Sequence, residues 1–282
     1  MLNSPLVDKL IDLAIEEDLS FGDITSELTV PAATKGKAVI LARERLIVCG
    51  LPLVERILSR AGRALKFEAL AKEGSLAKAQ QPICRLKGKA RDILALERTI
   101  LNFLQRMSGV AGAAAAAQKA AGNLCVLDTR KTTPGWRVLE KYAVRVGGAT
   151  NHRFSLGDMI LVKNNHIDAC NGDIQATLRP IFKARPRYMP VEVEVRDINE
   201  LKATLKFPVD VVMLDNFSDL KIVPALALVN SKTKRPLVEV SGGITESRLT
   251  QLQKLGVDCV SMGALTTKAT NCDISLRLTL VK

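Results

Sequence analysis

Residues 125–131 read CVLDTRK, an apolar run that meets an acid and then two adjacent cations. Ending a buried strand on Arg130 and Lys131 is costly unless something negative arrives to lie between them. The same pattern returns five times: MILVKNN (159–165), VEVEV (191–195), VVMLDN (211–216), LVEVSGG (237–243) and CVSMGAL (259–265). Each run meets a polar or charged residue, or a glycine pair, at or near its C-terminal end. These are Arg130 and Lys131, Lys163, Glu194, Asp215, Ser241 with Gly242 and Gly243, and Ser261 with Gly263. Helical patterns such as INELKATLK and TESRLTQLQKLG lie between runs, and strands alternating with helices build a parallel sheet. In a β/α barrel the C-terminal strand ends converge on one site, whereas in an open sheet they spread along an edge. Six or seven strands fall short of the eight of a regular barrel, so the reading is a β/α barrel with irregular closure, with an open sheet as the alternative.

Upstream the texture differs. Ser4-Pro5 caps a helix over LVDKLIDLAIEE, with Leu6, Leu10, Leu13 and Ala14 on one face. KAVILARE and RLIVCG read as a hairpin around Glu44-Arg45, PLVERILSRAG as a helix, and LKFEAL and PICRLKG as short strands. A long helix, RDILALERTILNFLQRMSG, closes an α+β sheet domain of about a hundred residues. Arg91, Arg98, Asn102 and Gln105 share one stripe of it, either a wet face or a row from which Arg98 reaches a site across a dimer interface. The alanine-rich helix from Gly112 is a packing element.

The totals bound the function. Net charge is +12, which suits nucleic acid, acidic lipid or phosphorylated metabolites alike. One Trp and two Tyr supply base stacking poorly, which argues against nucleic acid as the partner. Six scattered cysteines without Cys-x-x-Cys, and only two histidines, assemble no zinc or iron–sulfur spacing. They read as reduced thiols of a cytoplasmic protein. The N-terminus has no basic-then-apolar leader, and GVAGAAAAAQKAAG is too short and too interrupted to cross a membrane.

Within the barrel reading, Arg130, Lys131, Lys163 and the His152-Arg153 pair of GGATNHRFSLGD gather cations at one rim. Arg offers a planar fork and Lys a point charge, so together they make a cup for phosphate and carboxylate. His152 is either a surface residue or an anion contact, and His166 is structural. Glu192 and Glu194 share a face, since strand side chains alternate. They point outward on an edge strand, or inward in a barrel. Inward, Glu194 with Asp215 holds a divalent metal or steadies a developing positive charge. VSGGIT and SMGALTT let backbone N–H groups approach a phosphate, since glycine has no Cβ in the way.

ERTILNFLQRMSG, LDTRKTTPGWRVLEKYAVRVGGATNHR, LVKNNHID, VEVEV, VVMLDNF, VSGGI and SMGALT followed by DISL resemble, in order and spacing, the quinolinate phosphoribosyltransferases. The resemblance runs through nearly the whole chain. It implies an N-terminal α+β sandwich domain over 1–107, joined by the tail 268–282, and an irregular β/α barrel over 108–267. It implies transfer of phosphoribosyl from 5-phosphoribosyl 1-pyrophosphate to quinolinate with decarboxylation, magnesium, and a homodimer. Thr129, Arg130, Lys131, His152, Arg153 and Lys163 would bind the carboxylates and phosphates, with Arg98 contributed across the interface. Glu194 and Asp215 would face the ribose and its metal. Ser241, Gly242, Gly243, Gly263 and Ala264 would cradle the 5-phosphate. Two positions depart from the family pattern: Asn164 where an acid is usual, and Thr267 where His often stands. A branch linked to molybdenum transport, acting on another aromatic acid, is the alternative, although NHRFSLGD and KNNH look closer to the quinolinate branch.

Overall fold

The computed structural model describes residues 1–281. In chain order the elements are α1 (Pro5–Leu19), α2 (Ile24–Thr29), β1 (Lys35–Ala42), β2 (Leu46–Ile47), α3 (Leu51–Arg60), β3 (Lys66–Ala69), β4 (Leu76–Ala77), β5 (Pro82–Lys89) and α4 (Ala90–Ala121). Then come β6 (Cys125–Leu127), α5 (Arg137–Val146), β7 (Ile160–Val162), α6 (Asn164–Ala169), α7 (Ile174–Ala184), β8 (Val191–Val195) and α8 (Ile198–Thr204). The chain continues through β9 (Val211–Asp215), α9 (Asp219–Asn230), β10 (Leu237–Ser241), α10 (Glu246–Leu255), β11 (Cys259–Ser261), α11 (Ala264–Thr267) and β12 (Ile274–Val281). Two compact units result: one of residues 1–115, 131–148 and the chain from Ala264 onward, the other of 116–130 and 149–263.

The first unit is an antiparallel sheet, ordered β12-β1-β5-β3, with helices. The expected hairpin around Glu44-Arg45 does not form. Both edges of β1 are already taken, by β12 and β5, so β2 pairs instead with β4 in a separate two-stranded sheet. The long helix and the alanine-rich helix are one helix of 32 residues, α4. Its small residues serve close approach. A Cβ at Gly109 would stand 1.9 Å from Thr270 O, and one at Gly147 would stand 2.3 Å from Ala111 O. Arg106 is anchored on Glu140, at 2.6 Å, and on the carbonyls of Thr266 and Ala269.

The second unit contains all six expected runs as strands, paired in parallel in the order β6-β11-β10-β9-β8-β7. Chain order is kept from β7 to β11, yet the strand beside β11 is β6, which precedes β7 in sequence. An extra parallel bridge, Leu127 to Thr150, places a seventh segment outside β6. Along a flat sheet the Thr150 segment and β8 would be five strand spacings, about 24 Å, apart. His152 nevertheless reaches Glu192 of β8 at 3.1 Å. The sheet therefore curls round on itself. No ladder joins β7 to the Thr150 segment among the described residues, and this is the irregularity of the barrel. All five residues of β8 are buried, so VEVEV is not an exposed edge.

Candidate active site

Asp128, fully buried just past β6, organises the approach to the barrel interior. It accepts the His152 backbone N–H at 2.9 Å and Asn151 Nδ2 at 2.7 Å. The His152 ring is thereby delivered between two strands' acids. Its Nε2 lies 3.1 Å from Glu192 Oε2 and 3.5 Å from Glu239 Oε2, while Nδ1 accepts the Arg153 N–H at 2.7 Å. Burial disfavours the charged ring, but the hydrogen bonds to Glu192 and Glu239 outweigh it and push the pKa up to about 9. Burial also raises the Glu192 carboxyl above its ordinary value, against the pull of His152. Glu192 and Glu239 each keep one oxygen, Oε1, buried without a hydrogen-bond partner. Ligand atoms of these three residues lie within 4.8 Å of one another, the one such triple among the described residues. A metal there would have to displace the proton that the two acids hold on Nε2.

Arg153 stands beside this ring with its guanidinium donating to Met159 O at 3.1 Å. Burial, and then the charge of Arg130, press its pKa below the ordinary guanidinium value. Two cations facing one space disfavour each other until an anion joins them. Lys163, at the end of β7, puts Nζ 3.3 Å from Glu194 Oε2 on β8. His166 Nδ1 accepts the Lys163 backbone N–H at 2.8 Å, so this histidine caps α6 and is structural, as its sequence context indicates.

Asp215 and Ser241 are register partners at the ends of β9 and β10, and Ser261 Oγ donates to Ser241 Oγ at 3.0 Å. Gly242 (φ +91°) and Gly243 (φ +58°) then take left-handed backbone that glycine accommodates freely. Glu194 pairs with Met213, two residues before Asp215, so the two carboxylates face the same side one pleat apart. Oxygen donors of this kind, with substrate oxygens and water completing the shell, suit Mg²⁺.

Other candidates lie in the first unit. Lys131 O accepts a hydrogen bond from Thr266 Oγ1 at 2.7 Å, and Ala264 opens α11. Along the α4 stripe, Arg91 donates to Val30 O and Glu27 O, and Gln105 donates to Ile274 O. Both are structural, whereas Arg98 and Asn102 are exposed. In the second unit, Thr129 and Gly263 are half-buried beyond β6 and β11.

Residues 23–108 match the N-terminal domain, and residues 110–277 the C-terminal domain, of quinolinate phosphoribosyl transferase. The chain belongs to the quinolinate phosphoribosyltransferase family. A probable carboxylating nicotinate-nucleotide pyrophosphorylase of Methanocaldococcus jannaschii is 38% identical over 276 residues, 95% of each chain. The carboxylating nicotinate-nucleotide pyrophosphorylase of Mycobacterium leprae is 36% identical over 270 residues, 94% of each. The crystal structure of NadC from Streptococcus pyogenes superposes with a TM-score of 0.92 at 34% identity, over 98% of this chain and 97% of that one.

Two residues that shape the site, Glu239 and Asp128, are not singled out from the sequence. Glu239 sits in LVEVSGG with the same two-residue alternation that marks Glu192 and Glu194, so its inward face was available from the pattern. Asp128 reads as the start of a charged turn.

Proposed function

We propose that this protein transfers the phosphoribosyl group of 5-phosphoribosyl 1-pyrophosphate to quinolinate, releasing carbon dioxide and pyrophosphate and forming nicotinate mononucleotide for de novo NAD synthesis. The observation that supports this most directly is the convergence of Arg130, His152, Arg153 and Lys163 with Glu194 and Asp215 at the strand ends of one barrel, in a chain of this family. Quinolinate carries two adjacent carboxylates, and the mutual repulsion of Arg130 and Arg153 is relieved by such a dianion. In this reading Thr129, Arg130, Lys131, His152, Arg153 and Lys163 hold the carboxylates and phosphates, and Ser241, Gly242, Gly243, Gly263 and Ala264 hold the 5-phosphate.

The pyridine nitrogen then forms a bond to the ribose anomeric carbon as the bond from that carbon to pyrophosphate breaks. Positive charge develops on the ribose, and the carboxylates of Glu194 and Asp215 stabilise it. These two acids would also hold Mg²⁺, which when bound neutralises charge on the leaving group. In the second step the bond from ring carbon 2 to its carboxylate breaks, carbon dioxide leaves, and the electron pair remains on carbon 2 beside the cationic nitrogen until a proton arrives. The protein's part is to hold the ring in place, and no protein nucleophile is needed.

We assign the catalytic role to residues 108–267, with 1–107 and 268–282 forming the sandwich domain. We also propose a homodimer in which Arg98 serves the neighbouring subunit. Exposed Leu6, Leu13, Phe21, Ile24 and Leu28 support assembly, Phe21 being 92% exposed. Six cysteines, all free, support a reducing cytoplasmic setting, and among the described residues no helix is long and apolar enough to cross a membrane. The test is a purified sample given the activated sugar with quinolinate or nicotinate. Equal release of carbon dioxide and pyrophosphate with quinolinate alone supports the proposal. Pyrophosphate release with a different aromatic acid and none with quinolinate overturns it.

A further inference from the structure

Arg248, one turn into α10, joins the two turns that follow β9 and β10. Its Nη1 donates to Gly242 O at 3.2 Å, and its Nη2 donates to Phe217 O and lies 3.4 Å from Asp219 Oδ1. Gly242 follows β10 and Phe217 follows β9, so a single guanidinium spans the turns after Ser241 and after Asp215. The two turns also interlock directly. Asn216 donates its N–H to Ser241 O at 2.9 Å, and a Cβ at Gly242 would stand 2.1 Å from Asn216 Oδ1. Asn216 itself has φ +55°, the left-handed backbone that asparagine tolerates better than most residues.

The peptide plane carries the consequence. In a trans peptide the C=O and the following N–H point in opposite directions. With Gly242 O drawn to Arg248, the Gly243 N–H points away from it. With Phe217 O drawn the same way, the Ser218 N–H does likewise. The Gly242–Gly243 peptide is flanked by glycines on both sides, so its rotation meets little steric resistance of its own. A planar fork with donors on two nitrogens can hold two carbonyls at once, and a lysine ammonium on a flexible stem replaces that poorly.

We propose that Arg248 is a positioning residue for the phosphorylated sugar. It fixes the glycine turn that receives the 5-phosphate and ties it to the turn carrying Asp215, which sets the span between the phosphate and ribose ends of the substrate. This rests on the assignment of those turns to the phosphoribosyl donor. It acts through backbone carbonyls and leaves the quinolinate contacts Arg130, His152, Arg153 and Lys163 alone.

The experiment compares wild-type protein with Arg248→Met and Arg248→Lys. Measured are the KM for 5-phosphoribosyl 1-pyrophosphate, calorimetric binding of ribose 5-phosphate, calorimetric binding of quinolinate to the free protein, and thermal unfolding. For Arg248→Met the sugar-phosphate KM and dissociation constant should both rise about tenfold, while quinolinate binding stays within about twofold. Arg248→Lys should recover less than half of the loss on a logarithmic scale, and it serves as the test if the methionine variant does not fold. Equal loss of both ligands, tracking a lowered unfolding temperature, overturns the proposal, as does unchanged ribose 5-phosphate binding. If wild type binds ribose 5-phosphate more tightly than the variants yet makes no product from quinolinate, the reaction assigned above fails and the positioning role stands.

Discussion

Replacing Glu239 by glutamine removes one of the two carboxylates on the His152 ring while keeping its shape. The rise of His152 from 6.5 to about 9 is worth about 3 kcal/mol of preference for the charged ring, at about 1.4 kcal/mol per pH unit. Glu239 is the more distant partner, 3.5 Å against 3.1 Å for Glu192, yet burial still opposes the charged ring once it is gone, so its loss should lower the midpoint by about one pH unit or more. The sign for stability follows. A group whose folded pKa is raised stabilises the fold fully below its unfolded value, near pH 6.5, and that contribution is lost as pH climbs through about 9. The wild type should therefore weaken on the alkaline side, and Glu239→Gln should weaken by less over the same window. The direct assay is ring-labelled histidine NMR, because the chain has only two histidines and a His152→Asn variant assigns them. A second proton would have to sit at Nδ1, where the Arg153 N–H already points from 2.7 Å, so the Arg153 amide resonance should move with the same midpoint. A wild-type His152 titrating at 6.5 or below, or one unmoved by Glu239→Gln, refutes the reasoning.

Gly109→Ala should destabilise the first unit by about 3 kcal/mol or more, since the new methyl would meet Thr270 O at 1.9 Å, and thermal unfolding reads this directly. Lys163→Ala should weaken quinolinate binding about tenfold by calorimetry, the loss of one charge-assisted contact. Its single-turnover carbon dioxide release, measured at saturating quinolinate, should keep the wild-type rate if the protein mainly holds the ring, and a large fall would give that lysine a direct part in decarboxylation. Asn164→Asp replaces a half-buried amide, whose buried Oδ1 has no hydrogen-bond partner, by a carboxylate beside Lys163. We expect it to lower the magnesium concentration for half-maximal rate severalfold, checked by a metal titration of pyrophosphate release.

The strands were legible because each run is short, apolar and punctuated by a polar or charged residue or a glycine. Thus VVMLD stops on Asp215 and LVEVS on Ser241, and the same residues that end the pattern form the rim. Pairing was not legible in the same way. Nothing local in RLIVCG says that both edges of β1 are spoken for, one of them by a strand more than two hundred residues later. Nothing local in CVLDTRK says that its neighbour is the last strand of the barrel and not the next. Those facts are set by which apolar faces remain uncovered once the rest of the chain has folded. The single helix α4 hid for a related reason: Gly109 and Gly112 look like breaks, yet Gly109 sits where a backbone from the C-terminal tail needs room.

In the reading proposed above, Glu239 bears on why acids lie inside a site that takes anions. Four cations brought to one mouth with nothing between them would spread apart or draw in water, and they would have to be gathered again at each binding event. Pairing Lys163 with Glu194, and His152 with Glu192 and Glu239, fixes where the charged heads stand before substrate arrives. The acids repel an incoming dianion, which weakens binding. In return the cations need little reorganisation as electrons pass from the ring nitrogen through the ribose to the leaving pyrophosphate, and that is the term which lowers a barrier rather than a dissociation constant. Arg130 and Arg153, whose charges oppose each other, are in the reading proposed above a pair that the substrate's carboxylates draw together.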